Sequence, residues 1–180
     1  MSYNEQYFEG RGNFEPKHQI EVNQWIMFFG IKPLSDVLDF GCGCGQRVHW
    51  FRMNSVNAIG VDKAEEAQEH AAGLSKGKIN LKIPIKSYDF IFSVDVLEHI
   101  EDKELKNILS LLSKLSHQAL YGITFVDDKN FSKDPTHING KTKREWADLL
   151  AKYYRYVSPV PPWFLNDNMY LMCFTYPKVE

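Results

Sequence analysis

Two groups of residues in this sequence are of types that do chemistry. The first is built on residues 36–46, Asp-Val-Leu-Asp-Phe-Gly-Cys-Gly-Cys-Gly-Gln, followed by a second acid in Gly60-Val61-Asp62. An apolar run ends at Asp39, and Gly41, Gly43 and Gly45 then alternate with small residues. That pattern reads as a buried strand, a tight turn and a helix start. Glycines let a ligand lie directly against the main chain, and the free N–H groups of the following helix point to the same place. A dinucleotide fingerprint needs Gly-x-Gly-x-x-Gly, and its third glycine is replaced by Gln46; no Gly-Lys-Ser/Thr follows to make a P-loop. Asp39 would repel a pyrophosphate. It suits a cationic ligand such as an amino-acid ammonium or a sulfonium. The second group comprises Asp95, Glu98 and His99 after a later strand, with Asp134 and His137 in a long polar loop. Carboxylates and imidazoles of this kind take protons or ligate metals.

The elements that must position these groups alternate along the chain. Ile20, Trp25, Ile26, Phe28 and Phe29 mark a helix over 17–29 that ends at Gly30, and a helix over 46–53 follows the glycine turn. Val56 to Val61 reads as the second strand. The alanines of 63–74 suit a helix, broken by Gly73 and Gly77. Ile79, Leu81 and Ile83 alternate as a third strand. Residues 89–96, nearly all apolar, read as a strand buried on both faces. Asp102 is the expected cap of a helix to about Ser116, with Leu105, Ile108, Leu109, Leu112 and Leu115 on one face. Ala119–Val126 is the fifth strand. Residues 127–141 are too polar for an element, and so long a loop in a compact domain points to function or disorder. Thr142-Lys-Arg-Glu145 reads as a capping box opening a helix through Tyr153. Strands at Tyr156–Val160 and Met169–Tyr176 complete an α/β pattern with a mainly parallel, doubly wound sheet of seven strands.

At 180 residues the chain is expected to form a single domain, with the aromatic-rich residues 1–15 as a candidate lid arm. A net charge of −2 argues against general nucleic-acid or anionic-membrane binding. Three cysteines do not make a disulfide framework and are read as reduced. No signal peptide and no bilayer-length apolar run is recognised, so the expected location is cytoplasmic.

Val37-Leu38-Asp39-Phe40-Gly41-Cys42-Gly43-Cys44-Gly45 resembles motif I of the class I S-adenosylmethionine-dependent methyltransferases. Asp62 falls where that family places its ribose-binding acid, and Tyr88 to Ile100 resembles the fourth-strand motif. The likeness covers roughly residues 34–126. It implies a Rossmann-like methyltransferase fold with S-adenosylmethionine at the carboxyl edge. Asp39, Gly41 and Gly43 would then meet its methionyl end, Asp62 would accept both ribose hydroxyls, and Ser93 and Asp95, just past the fourth strand, would border the sulfonium. The family often carries an acid after the third strand; Lys82-Ile83-Pro84-Ile85-Lys86 has none.

Candidates for a general base acting on the acceptor are His99, at the start of the helix after the fourth strand, His137 and Asp134. Asp134-Pro-Thr-His-Ile-Asn139 resembles loops of small-molecule and sugar-modifying members, so the expected acceptor is a sugar or another metabolite. Some members bind a divalent metal through Glu-x-x-Glu-His. Asp95, Glu98 and His99 form such a cluster with Asp in place of the first Glu, a departure that shortens its reach, and His137 could approach from the loop; the sequence assigns no metal and does not tell whether one binds there. No Asn/Asp-Pro-Pro-Tyr/Phe tetrapeptide follows the fourth strand, which lowers a nucleic-acid acceptor. Two alternatives stand beside a small-molecule methyltransferase: methylation of a macromolecule, and a catalytically silent cofactor-binding partner subunit. Oligomeric state is not legible.

Overall fold

A computed structural model describes residues 8, 15–161, 163–164 and 169–175. The lid-arm expectation for residues 1–15 falls outside the described residues, apart from Phe8 and Glu15. The element order is α1 (Pro16–Phe29), β1 (Asp36–Phe40), α2 (Gln46–Met53), β2 (Asn57–Val61), α3 (Glu65–Glu69), β3 (Ile79–Asn80), β4 (Phe90–Val94), α4 (Asp102–Leu115), β5 (Gln118–Gly122), α5 (Lys143–Leu150), β6 (Tyr156–Pro159) and β7 (Tyr170–Phe174). Seven strands form a sheet in the order β3-β2-β1-β4-β5-β7-β6. The expected α/β class and mainly parallel sheet are therefore present. The chain divides into two compact units, residues 1–90 and 91–180.

In the first unit β1 and β2 pair in parallel with Asp39 opposite Gly60, and β3 continues in parallel on β2. Val37 and Leu38 are fully buried, as are Val48 and Phe51 of α2 and Val22 and Trp25 of α1. Gly30 ends α1 in the left-handed conformation that glycine adopts without steric cost. The helix expected over 63–74 is interrupted: α3 stops at Glu69, and a 3₁₀ turn occupies Gly73–Ser75. Hydrogen bonding by Ser75, both local and to a distant carbonyl, accompanies the break. Ser75 is wholly buried, and its hydroxyl lies within bonding distance of the carbonyls of Ala72 (2.7 Å) and Cys44 (3.2 Å). Gly73 takes a positive φ of 56°. β3 stops at Asn80, well short of Ile83; Pro84 lacks the donor a longer ladder would use.

In the second unit β4 and β5 are parallel, and β7 runs antiparallel to both β5 and β6. Leu105, Leu109 and Leu112 of α4 are fully buried, as the helical spacing requires. Asp102 is not the cap. Glu101 holds that position, and Asp102 lies in the first turn, where it accepts a 2.7 Å bond from Lys141. The expectation of a structureless 127–141 segment is corrected by a 3₁₀ turn at Phe131–Lys133.

The capping box forms as its sequence requires. Thr142 N–H donates to Glu145 Oε2 at 2.8 Å, and Glu145 N–H donates back to Thr142 Oγ1 at 3.3 Å. Replacing an N-cap threonine by alanine typically costs about 1 kcal/mol. Thr142→Ala is therefore expected to lower unfolding stability by about that amount; denaturant titration of the variant against wild type measures it.

Candidate functional site

The first unit carries the glycine turn. Gly41 N–H and Cys42 N–H both donate to the carbonyl of Val61, at 2.7 and 3.0 Å, so the turn after β1 is tied to the end of β2. Asp62 completes the tie. Its Oδ2 accepts from Gly43 N–H at 2.9 Å and its Oδ1 from Ala64 N–H at 3.0 Å. The sequence expectation gave Asp62 to ribose hydroxyls alone; it also fixes the turn. An ionised carboxylate offers about four lone-pair positions, so roughly two remain after these bonds. Gly43 has a φ of 51°, and the space its missing side chain would fill is open for 4 Å. A ligand can rest on that backbone.

Asp39 is only 3% exposed. Burial, opposed by Arg47 and reinforced by Asp62 and Glu21, pushes its carboxyl up to about 7. Arg47 Nε is bonded to Glu21 Oε2 at 3.0 Å, and its guanidinium lies 5.7 Å from the Trp25 ring. Asp39 therefore feels one guanidinium and two other carboxylates, and its ionisation adds to a local excess of negative charge beneath the turn. That favours a cation and disfavours a phosphate. Arg47 and Glu21 were missed in the sequence. The available signal was an arginine in the first turn of α2, where the helix dipole disfavours a cation. Phe8, 1% exposed, packs with Cys44, Ala64 and Ala67 beside the turn. Cys42, Cys44 and Cys173 form no disulfide among the described residues, and burial raises the Cys42 thiol well above its usual range.

The second unit carries the other group. Ser93 lies inside β4 and is fully buried, a correction to its expected position past the strand. Its hydroxyl has no partner among the described residues. Asp95 follows the strand, exposed and at a positive φ of 56°. His99 sits in a 3₁₀ turn, Leu97–His99, before α4 and not in the helix itself. Glu98 is fully buried, and burial pushes its carboxyl up to about 7 against the opposing bond from Thr124 N–H.

His99 and His137 come together, as an approach of the loop to the Glu98–His99 cluster would require, with ring centroids 4.7 Å apart. The long loop is brought there by hydrogen bonds. Ile138 N–H and Asn139 N–H donate to the Glu98 carbonyl at 3.1 and 2.9 Å, and the buried Asn139 donates its side-chain amide to the Ile100 carbonyl at 2.9 Å. Lys141 bonds both Asp102 and Asn139. Sequence reasoning passed over Asn139; its only mark was a polar residue beside Gly140 in an unpatterned stretch.

A methyltransferase-domain family profile matches residues 17–153. Cyclopropane-fatty-acyl-phospholipid synthase of Escherichia coli K12 is 27% identical over 122 residues, 63% of this chain and 32% of that protein. Phosphoethanolamine N-methyltransferase 3 of Arabidopsis thaliana is 30% identical over 95 residues, 46% of this chain and 19% of that protein. The chain therefore matches about a third and a fifth of these relatives' lengths. Among solved structures, magnesium protoporphyrin IX methyltransferase of Synechocystis with bound S-adenosylhomocysteine superposes with a TM-score of 0.67 at 16% identity, covering 91% of this chain and 85% of that one. An S-adenosylmethionine-dependent methyltransferase of Aquifex aeolicus gives 0.66 at 16% identity, covering 96% and 98%. These two likenesses show a shared fold.

The Asp39 environment predicts a pH effect. Its carboxyl is raised from an ordinary 3.8 to about 7 in the fold. Between those values the folded chain holds a proton that the unfolded chain has lost, so this group's contribution to stability falls as pH rises. Asp39→Asn removes that slope. Thermal melts from acid to neutral pH should show wild type losing stability relative to the variant, by on the order of a few kcal/mol.

Proposed function

Because the chain belongs to the methyltransferase-domain family, whose methyl donor is S-adenosylmethionine, we propose that it transfers a methyl group from that donor to a small-molecule acceptor. The observation that carries this reading is an open glycine turn beside buried Asp39 and Glu21, half-buried Asp62 and the single compensating cation Arg47. The donor is a sulfonium with an ammonium group, so it brings the positive charge that the cluster lacks. Asp39, Gly41 and Gly43 are assigned to its methionyl end and Asp62 to its ribose. On the sequence resemblance, Ser93 and Asp95 are assigned to the sulfonium side.

In methyl transfer the acceptor's lone pair attacks the donor methyl carbon. A new bond to carbon forms as the carbon–sulfur bond breaks, and a neutral thioether leaves. The reagent is already activated, so the protein's main task is orientation, which supplies on the order of 7–11 kcal/mol. His99 and His137 are assigned as the catalytic residues that meet the acceptor. The acceptor class we favour is a sugar or another small metabolite. Support comes from the low net charge and from two relatives whose names specify a phospholipid and phosphoethanolamine. The whole chain, residues 1–180, is read as one methyltransferase domain, with residues 1–15 as a lid arm; the packing of Phe8 beside the turn supports the arm. No helix of the described residues is long and apolar enough to cross a membrane, and cysteines without a disulfide among the described residues fit the cytoplasmic location we favour.

Titration calorimetry tests the donor. S-adenosylmethionine should bind, and Asp62→Ala should weaken it roughly tenfold or more, since removing the carboxylate takes away a charged hydrogen-bond partner of about 1.5–3 kcal/mol. A cation beside Asp39 favours its ionised form, so binding just below the pH of about 7 to which Asp39 is raised should release protons. Repeating the titration in buffers of different ionisation enthalpy reads that release, and Asp39→Asn should abolish it. Absence of donor binding by the wild-type chain would remove the proposal.

A further inference from the structure

The second unit places three unlike donors around one point. Glu98, His99 and His137 each offer one ligand atom, and these atoms lie within 4.8 Å of one another. Their surroundings fix which atoms are available. His137 Nδ1 is 2.8 Å from the Phe131 carbonyl, an acceptor, so Nδ1 carries the hydrogen and the neutral tautomer offers Nε2, which lies 3.9 Å from Asp134 Oδ2. Thr136 decides the matter for His99. The Thr136 hydroxyl donates to Asp134 Oδ1 at 2.6 Å, so toward His99 Nδ1, 2.9 Å away, it can only accept. The Thr136 carbonyl, 3.1 Å from the same nitrogen, demands the same tautomer. Both imidazoles therefore hold Nε2 as the lone-pair nitrogen.

Glu98 adds an independent sign. Its Oε1 accepts from Thr124 N–H at 2.8 Å, whereas its Oε2 is buried with no hydrogen-bond partner among the described residues. A buried polar atom left unsatisfied is costly, and native structures seldom leave one without a reason. A cation beside Oε2 would supply the missing partner. We propose that Glu98, His99 and His137 form a binding site for one divalent first-row transition-metal ion.

The donor set indicates the class of metal. Two neutral imidazoles and one carboxylate suit zinc, cobalt, nickel or ferrous iron, whereas magnesium and calcium prefer an all-oxygen shell. Three protein ligands leave at least one coordination position open. The sequence pattern placed Asp95 beside Glu98, His99 and an approaching His137; in the structure Asp95 is exposed and outside the set. The Phe131 carbonyl and the Asp134–Thr136 pair hold the two rings in the required orientation, as outer hydrogen bonds to metal-bound histidines do.

The test uses the whole chain purified without a histidine tag and stripped with a chelator. Cobalt(II) titration should give visible d–d bands that saturate at one ion per chain, that zinc displaces and that excess magnesium leaves unchanged. Glu98→Gln keeps the acceptor for Thr124, and with His137→Ala it should weaken cobalt binding roughly 10–100-fold or more. Thr136→Val, which keeps all three ligands, should weaken it by roughly tenfold. His117→Ala, an exposed histidine outside the set, should not. Zinc should raise the melting temperature of wild type and not of His137→Ala. Cooperative unfolding of the metal-free variants separates a lost ligand from a lost fold. Cobalt bound no more tightly by wild type than by His137→Ala would overturn the inference, as would displacement by magnesium. No methyl donor enters these readouts, so failure here leaves the donor reading standing.

Discussion

Four backbone N–H groups shape the junction of β1 and β2, three of them reaching from the turn after β1 to the end of β2 and the fourth holding the Asp62 carboxylate in place. Two of them, from Gly41 and Cys42, share the Val61 carbonyl, and the Asp62 carboxylate takes those of Gly43 and Ala64. This knot determines the shape of the glycine turn and the direction in which α2 leaves it. It also keeps Asp62 close enough to Asp39 for their charges to interact. Buried carboxylates repel each other strongly where water cannot screen them. The fold accepts that cost because Arg47, itself anchored by Glu21, lies beside them. The outcome is a stiff turn over incomplete charge compensation, which is an apt receptor for a cation.

The second unit solves a similar problem with a long loop. Residues 127–141 have too little apolar surface to pack, so hydrogen bonds must fix them. The Glu98 carbonyl receives two loop N–H groups, and Asn139 and Lys141 add bonds to Ile100 and Asp102. One residue therefore serves twice. The Glu98 backbone anchors the loop, while its side chain, buried beneath, faces the histidine that the loop delivers. A carboxylate raised to about 7 by burial and two imidazoles, each with its Nδ1 turned to a loop oxygen, then lie close together.

Much of the fold could be read from the chain because its signals are local. The period of Leu105, Leu109 and Leu112, the Thr142–Glu145 box and the Gly30 stop each follow from interactions within a few residues. The departures share a different cause. The break after α3 depends on Ser75 reaching the Cys44 carbonyl, 31 positions away. The loss of the capping role by Asp102 depends on Lys141, 39 positions away. Contacts at such distances leave no period or spacing in the sequence.

The site divides along the same line. The sequence by itself determined a carboxylate-tipped strand, a turn that only glycines can make and a second acid one strand later, because spacing in parallel strands brings these to one edge. Tertiary structure alone decided how those groups are charged and what they touch. Asp39 is raised because burial removes water from it; Arg47 and Glu21 matter because α1 packs beside α2; His137 meets His99 because backbone hydrogen bonds hold the loop there. Desolvation and distance set the electrostatics of a site, and both are properties of the folded chain in three dimensions.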